Sequence, residues 1–298
     1  MADAIHAEGL TWKTRGKVIV DDVRMTVPAG AVTGFLGANG AGKTTTLRLM
    51  LGLISGGGRT TYFGQPLEDW RDPARVVGAV MGGVAGHPRH SLAAHLRMVA
   101  AGAGLPGRRV TEVLDSVGLA DTAATALGAL SLGMAQRAGI AQALLADPPV
   151  LILDEPANGL DPHTIRWLRD TLRRLAAEGK AVLVSSHLLA EMQHMADHVV
   201  VLGRGRVVAR TSVEDLARFG GEVVLQSPRA AELAEPVRRL DGTFTPGGDG
   251  RVRIRGLSRF LVGDLAADRG IPVHWLDERP PSLEDFYLSV AEEEFPIR

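Results

Sequence analysis

Residues Gly37 to Thr45 read GANGAGKTT. Ala31–Leu36 (AVTGFL) reads as a strand that leads into this stretch. Thr45–Leu53 (TTLRLMLGL) leaves it with apolar residues at helical spacing. Strand, glycine-rich loop and helix in that order constrain the fold more than any other feature of the chain. Gly37, Gly40 and Gly42 permit backbone turns that a side chain forbids. Successive N–H groups can then face inward at the helix start and form an anion nest, where the helix dipole favours phosphate. The loop from Gly37 through Ala38, Asn39, Gly40, Ala41, Gly42, Lys43, Thr44 and Thr45 is therefore the candidate phosphate site. Lys43 is spaced to reach β- and γ-phosphates, and the Thr44 hydroxyl to meet Mg²⁺.

Leu151 to Pro156 reads LILDEP. Val150–Leu153 is a continuous apolar run, as a strand buried on both faces requires. Asp154 and Glu155 follow at its carboxyl end, where open α/β sheets bind ligands. Asp154 is a candidate metal-orienting acid and Glu155 a candidate base for water. The two motifs together predict binding and hydrolysis of ATP or GTP with magnesium.

Composition narrows the class. The 298 residues suffice for two domains. With 33 basic and 34 acidic residues the formal charge is −1, which offers no electrostatic case for a nucleic-acid partner. Cysteine is absent, which excludes disulfides, thiol nucleophiles and thiolate metal sites. The N-terminal MADAIHAEGL lacks the pattern of a signal peptide, and no apolar run approaches the ~20 residues of a spanning helix. A cytoplasmic protein is expected, with any membrane role coming through a partner.

Three further segments carry information. Ser131–Arg137 (SLGMAQR) opens an apolar helix, and Ser131 reads either as an N-cap or as part of a second anion site. Ala157–Asp161 (ANGLD) is a turn. The strand Ala181–Ser185 ends in Ser186-His187, on the nucleotide edge of the sheet.

The ordered set GANGAGKTT, SLGMAQR, LILDEP, NGLD and SSH resembles the ATP-binding subunits of ABC transporters, over roughly residues 4–215. The form of SLGMAQR is similar to that of drug-resistance ATPases of the daunorubicin and bacitracin exporter type. The resemblance implies an α/β P-loop NTPase of ABC type with a helical subdomain. It implies ATP with Mg²⁺, held by Thr44 and Asp154, with Glu155 as general base and His187 on the γ-phosphate. Ser131 and Gly133 would contact ATP held by a second copy, and Asp161 would line that interface. It also implies a homodimer and a separate integral-membrane permease, placing the ATPase on the inner face of the membrane.

Two departures from the family pattern stand out. The family carries a glutamine after a strand that here is Val76–Met81, and Gly82 takes its place. Glycine offers no side-chain ligand, so metal coordination and coupling could both change. The family also stacks adenine on an aromatic residue before an N-terminal glycine. Here Arg15 precedes Gly16 and Trp12 lies earlier; either could meet the base, and Trp12 could equally pack a strand.

Residues 83–148 read as a helical subdomain, with Ser91 an N-cap candidate. His87, His90 and His95 fall there without a carboxylate cluster and read as ordinary polar positions. A boundary at Phe219-Gly220-Gly221 divides an ATP-binding domain, 1–219, from a C-terminal domain, 220–298. The latter reads βαββαβα, a small α+β sandwich of ferredoxin-like type. It resembles the extension of drug-exporter ATPases, with a regulatory or dimer-stabilising role expected. Asp277, Glu278, Glu284 and Asp285 read as a solvated face. The functional expectation is an exporter ATPase. Its alternatives are a non-transport ABC ATPase or an ATP-binding switch with weak turnover.

Overall fold

The structure is a computed structural model that describes residues 3–218, 221–248, 250–279 and 282–287. The chain forms two compact units, Met1–Arg210 and Thr211–Arg298. The short helix 213–218 thus groups with the second unit, ahead of the composition shift at Phe219.

The first unit begins with β1 (Asp3–Thr14), β2 (Lys17–Pro28), β3 (Val32–Leu36), α1 (Lys43–Met50), β4 (Gly57–Tyr62), β5 (Gln65–Pro66) and β6 (Val77–Met81). Three helices follow: α2 (Leu92–Gly102), α3 (Arg108–Ser116) and α4 (Leu132–Ala143). The chain then returns through β7 (Val150–Asp154), α5 (Pro162–Ala177), β8 (Ala181–Ser186), α6 (Leu189–Met195), β9 (His198–Gly203) and β10 (Arg206–Ser212). A six-stranded sheet has the order β10-β9-β3-β8-β7-β6, parallel from β9 through β6. A second, antiparallel sheet has the order β2-β1-β4-β5.

The burial patterns follow from these positions. Every residue of β3 and of β8 is buried, as in parallel strands covered on both faces. Strand β2 alternates over Val23–Val27, because one face packs on the core and the other meets solvent. Helix α1 packs its Leu47 and Met50 into the core shared with Ile5, Met25, Phe35 and Ile152. Tyr62 is wholly buried there and donates to Met50 O at 2.9 Å; burial pushes its phenol pKa up.

The helical segment is pinned by side chains. Ser91 Oγ accepts from Ala94 N and caps α2, as its sequence position predicts. Arg109 of α3 donates to Leu144 O and Leu145 O, satisfying carbonyls at the end of α4.

The second unit contains α7 (Val213–Arg218), β11 (Glu222–Gln226), α8 (Ala234–Arg239), β12 (Thr243–Pro246), β13 (Arg251–Arg255), α9 (Arg259–Ala267) and β14 (Trp275–Arg279). From β11 onward this is βαββαβ, with antiparallel strands in the order β12-β13-β11-β14. Each helix crossover joins strands that have another between them, which is the split βαβ, ferredoxin-like arrangement. Val223, Leu225, Val252 and Ile254 face α8 and α9 through Val237 and Val262. Pro236 falls in the first turn of α8, where its missing N–H costs nothing, and a 3₁₀ turn at Ala230–Leu233 precedes it. Residues 283–287 are helical, and the rest of the expected final helix lies outside the described residues. Glu284 and Asp285 are exposed, while Asp277 and Glu278 are half-buried.

Candidate nucleotide site

The phosphate loop leaves β3 at the carboxyl edge of the parallel sheet. Two of its glycines are dictated by neighbours. A Cβ on Gly37 would lie 2.5 Å from Leu202 O, and one on Gly42 would lie 2.7 Å from Ile19 O. Gly42 also has φ +108°, a conformation that side chains avoid. The loop is held by Ala41 N donating to Ala38 O and by Gly205 N donating to Ala41 O. Ala38, Asn39 and Gly40 stay exposed, and Thr44 and Thr45 are half-buried at the start of α1.

Lys43 is only 5% exposed. Its Nζ donates to Gly37 O at 2.7 Å and to Ala38 O at 3.3 Å, and lies 3.1 Å from Glu155 Oε1. The other oxygen of Glu155 lies 2.7 Å from His187 Nδ1. The sheet order β3-β8-β7 accounts for this convergence. It sets the loop after β3 beside the ends of β8, which leads to His187, and β7, which carries Asp154.

Ser185 binds this edge together and was not a sequence candidate. Its Oγ donates to Asp154 Oδ1 at 2.6 Å and accepts from Glu155 N at 2.9 Å. Glu155 itself sits at φ +49°, a strained backbone costing about 1–3 kcal/mol. The Ser185 bond and the two carboxylate contacts offset that strain. The only sequence signal for Ser185 is a hydroxyl ending an otherwise apolar strand.

Ser131, Gly133 and Asp161 form a separate group. Ser131 Oγ accepts from Met134 N and caps α4, while Asp161 Oδ1 accepts from His163 N and Thr164 N and caps α5. Thr164 Oγ1 donates to Asp161 Oδ2 at 2.7 Å, and these bonds, the Thr164 hydroxyl first, hold the Asp161 carboxyl below its ordinary pKa. Ser131 and Asp161 are both exposed. Ser131 can still serve as an anion ligand, since capping occupies its oxygen as an acceptor and leaves the hydroxyl proton to donate.

Trp12 is half-buried and packs against the core of the first unit. Arg15 and Gly16 form the two-residue turn between β1 and β2, with φ +46° and +80°. Gly82 follows β6, whose last residue Met81 pairs with Asp154. It has φ +96° and open space where a Cβ would stand. His95 Nε2 bonds Gln142 Oε1 at 2.8 Å, which ties α2 to α4, and His87 and His90 have ring centroids 5.0 Å apart.

The donor set at Asp154 fits Mg²⁺. Thr44 offers a hydroxyl and Asp154 a carboxylate, hard oxygens of the kind this ion takes alongside phosphate and water. Ser185 orients the carboxylate as an outer partner does in metal sites.

Comparison with known proteins decides the family. The ABC transporter family model matches residues 20–158. An ABC transporter ATP-binding protein of Bacillus subtilis (strain 168), YdbJ, is 38% identical over 98% of this chain and 96% of its own length. The chain belongs to the ATP-binding subunits of ABC transporters. Hydrolysis of ATP is the general activity of these subunits, and they work with membrane permeases and dimerise. The bacitracin transport ATP-binding protein BcrA of Bacillus licheniformis is 36% identical over 97% of this chain and 98% of its own length. A solved ATP-binding subunit of an ABC transporter superposes with a TM-score of 0.65 at 29% identity, covering 72% of this chain and 92% of that one. Residues 221–284 match a domain of unknown function, DUF8746.

Proposed function

We propose that this chain is the ATPase subunit of an exporter whose membrane-spanning part is a separate chain. The observation that carries the catalytic reading is the Lys43–Glu155–His187 cluster beside Asp154 and Ser185. Incoming ATP takes over the Lys43 ammonium with its β- and γ-phosphates, and the loop N–H groups cradle them. Glu155, released from Lys43, accepts a proton from the attacking water as the new oxygen–phosphorus bond forms and the bond to the ADP oxygen breaks. His187 Nδ1 holds the Glu155 carboxylate at the γ-phosphate end of the site. Thr44 and Asp154 hold Mg²⁺, which supplies charge neutralisation on the phosphates.

Ser131, Gly133 and Asp161 complete the site of a second copy, which the exposed positions of Ser131 and Asp161 allow. The turn at Arg15 is the better adenine candidate, since Ile19 of the same hairpin faces Gly42 while Trp12 packs against the core. The second unit serves regulation or dimer stability.

Among the described residues no helix is long and apolar enough to cross a membrane. Relatives named for bacitracin transport and for Nod factor export align over 97% and 92% of this chain, which supports the export reading. The protein isolated from native membranes in mild detergent is expected to carry an integral-membrane chain. Recovery of the ATPase free of any such chain, in every detergent that leaves it active, would count against a transport role.

Gly82 supports a second reading, an ATP-binding switch with slow turnover. A glutamine side chain has room there, but φ +96° disfavours it, so the loop is built for glycine. Gly82→Gln is expected to lower thermal stability by about 1 kcal/mol and to change hydrolysis through a new ligand at the Asp154 edge. An unchanged hydrolysis rate in the folded variant would show that the missing glutamine has no consequence for turnover.

A further inference from the structure

Helices α4 and α5 meet through a short series of contacts near their N-termini. A Cβ on Gly159 would lie 3.0 Å from Leu132 Cδ2, and one on Gly133 would lie 3.1 Å from Thr164 Oγ1. Four residues on from Gly133, the Arg137 guanidinium carbon lies 4.4 Å from the centroid of the Trp167 ring. Trp167 is three residues past Thr164, so both contacts use one face of each helix. The contacts nearest the helix starts are small: glycine, a methyl group and a hydroxyl. They permit close approach but place little restraint on rotation of α4 about its axis.

The stack is different in kind. Arg137 and Trp167 are both half-buried, where a cation over an aromatic face gains from partial desolvation. A planar guanidinium on a planar ring also has a preferred orientation, which an ammonium lacks. The other side of α4, through Ala138, Ile140 and Ala141, is fully buried and apolar. Arg137 carries the one charge on α4, and it faces α5, whereas Gln142 of the same helix bonds His95 of α2.

We propose that Arg137 and Trp167 are positioning residues that lock α4 to α5. Through them Ser131, at the start of α4, and Asp161, at the start of α5, present themselves to a second copy as one rigid body. Thr164 is the inner link, since it touches Gly133 and donates to Asp161. The proposal rests on the reading that Ser131, Gly133 and Asp161 act on the nucleotide of a second copy.

The test uses the full chain and reads ATP binding by the monomer separately from assembly. Arg137→Lys keeps the charge and loses the planar stack. It is expected to lower kcat and to raise the ATP concentration needed for dimerisation of a Glu155→Gln form, each by about five- to tenfold, with monomer affinity for ATP unchanged. Trp167→Phe keeps a ring and is expected to stay within about threefold of the parent protein, whereas Trp167→Leu should match Arg137→Lys. Arg137→Lys combined with Trp167→Leu should be no worse than either change alone, because both remove one interaction. Thermal melting of each variant identifies any that fails to fold, and Arg137→Lys with Trp167→Phe then carries the comparison. An unchanged kcat in Arg137→Lys, or losses that multiply in the double variant, would overturn the proposal. Failure of the Glu155→Gln parent to dimerise with ATP would remove its premise, and is told apart because it precedes any change at Arg137.

Discussion

Replacing Glu155 by glutamine is expected to lower ATP hydrolysis by about 10²- to 10⁴-fold while leaving ATP bound at least as tightly. Both oxygens of this side chain are engaged. One faces Lys43 Nζ at 3.1 Å and the other faces His187 Nδ1 at 2.7 Å. Glutamine keeps the size of the group and a hydrogen bond to His187, so the loop should hold its shape. It cannot accept the proton of an attacking water, and it no longer competes as an anion for Lys43. Phosphate release measured beside equilibrium binding of labelled ATP separates the two effects. A rate equal to that of the parent protein would remove Glu155 as the base.

Lys43→Met should act on binding instead. The buried ammonium is satisfied by two loop carbonyls and Glu155. In the proposed role the same donors turn to phosphate, and a charge-assisted bond of this kind is worth about 1.5–3 kcal/mol. Loss of the ammonium is therefore expected to weaken ATP binding by about 10- to 150-fold in calorimetry. Glu155 is left with His187 and remains 22% exposed to water, so the variant should fold. Affinity within about threefold of the parent would contradict the placement of Lys43 on the phosphates.

The phosphate loop was legible because its glycines answer local demands. Gly37 and Gly42 sit where neighbouring carbonyls leave no room for a Cβ, and that need is written into the residue itself. Strand β7 was legible for a related reason, since burial on both faces calls for an unbroken apolar run and Val150–Leu153 is one. Ser131 and Asp161 show both sides of the problem. Each is an N-cap, which the sequence suggests for Ser131, whereas Asp161 reads there as part of a turn; the capping bonds alone say nothing about a second copy.

What the sequence left hidden are contacts between distant segments. Ser185 gains its place only when β8 lies between β3 and β7, which no local pattern encodes. The Lys43–Glu155 pair and the Arg137–Trp167 stack likewise join segments far apart in the chain. In the second unit the βαββαβ order could be read from strand and helix patterns. The strand order β12-β13-β11-β14 comes from packing. Trp12 shows the converse, since a sequence position open to base stacking lies against the core.

The proposed composite site is one that a single copy cannot complete. Its most direct test is the molar mass of the Glu155→Gln protein by light scattering, with and without ATP and Mg²⁺. The account predicts a monomer alone and twice that mass with the nucleotide. A protein that binds ATP and stays monomeric at every nucleotide concentration would contradict it.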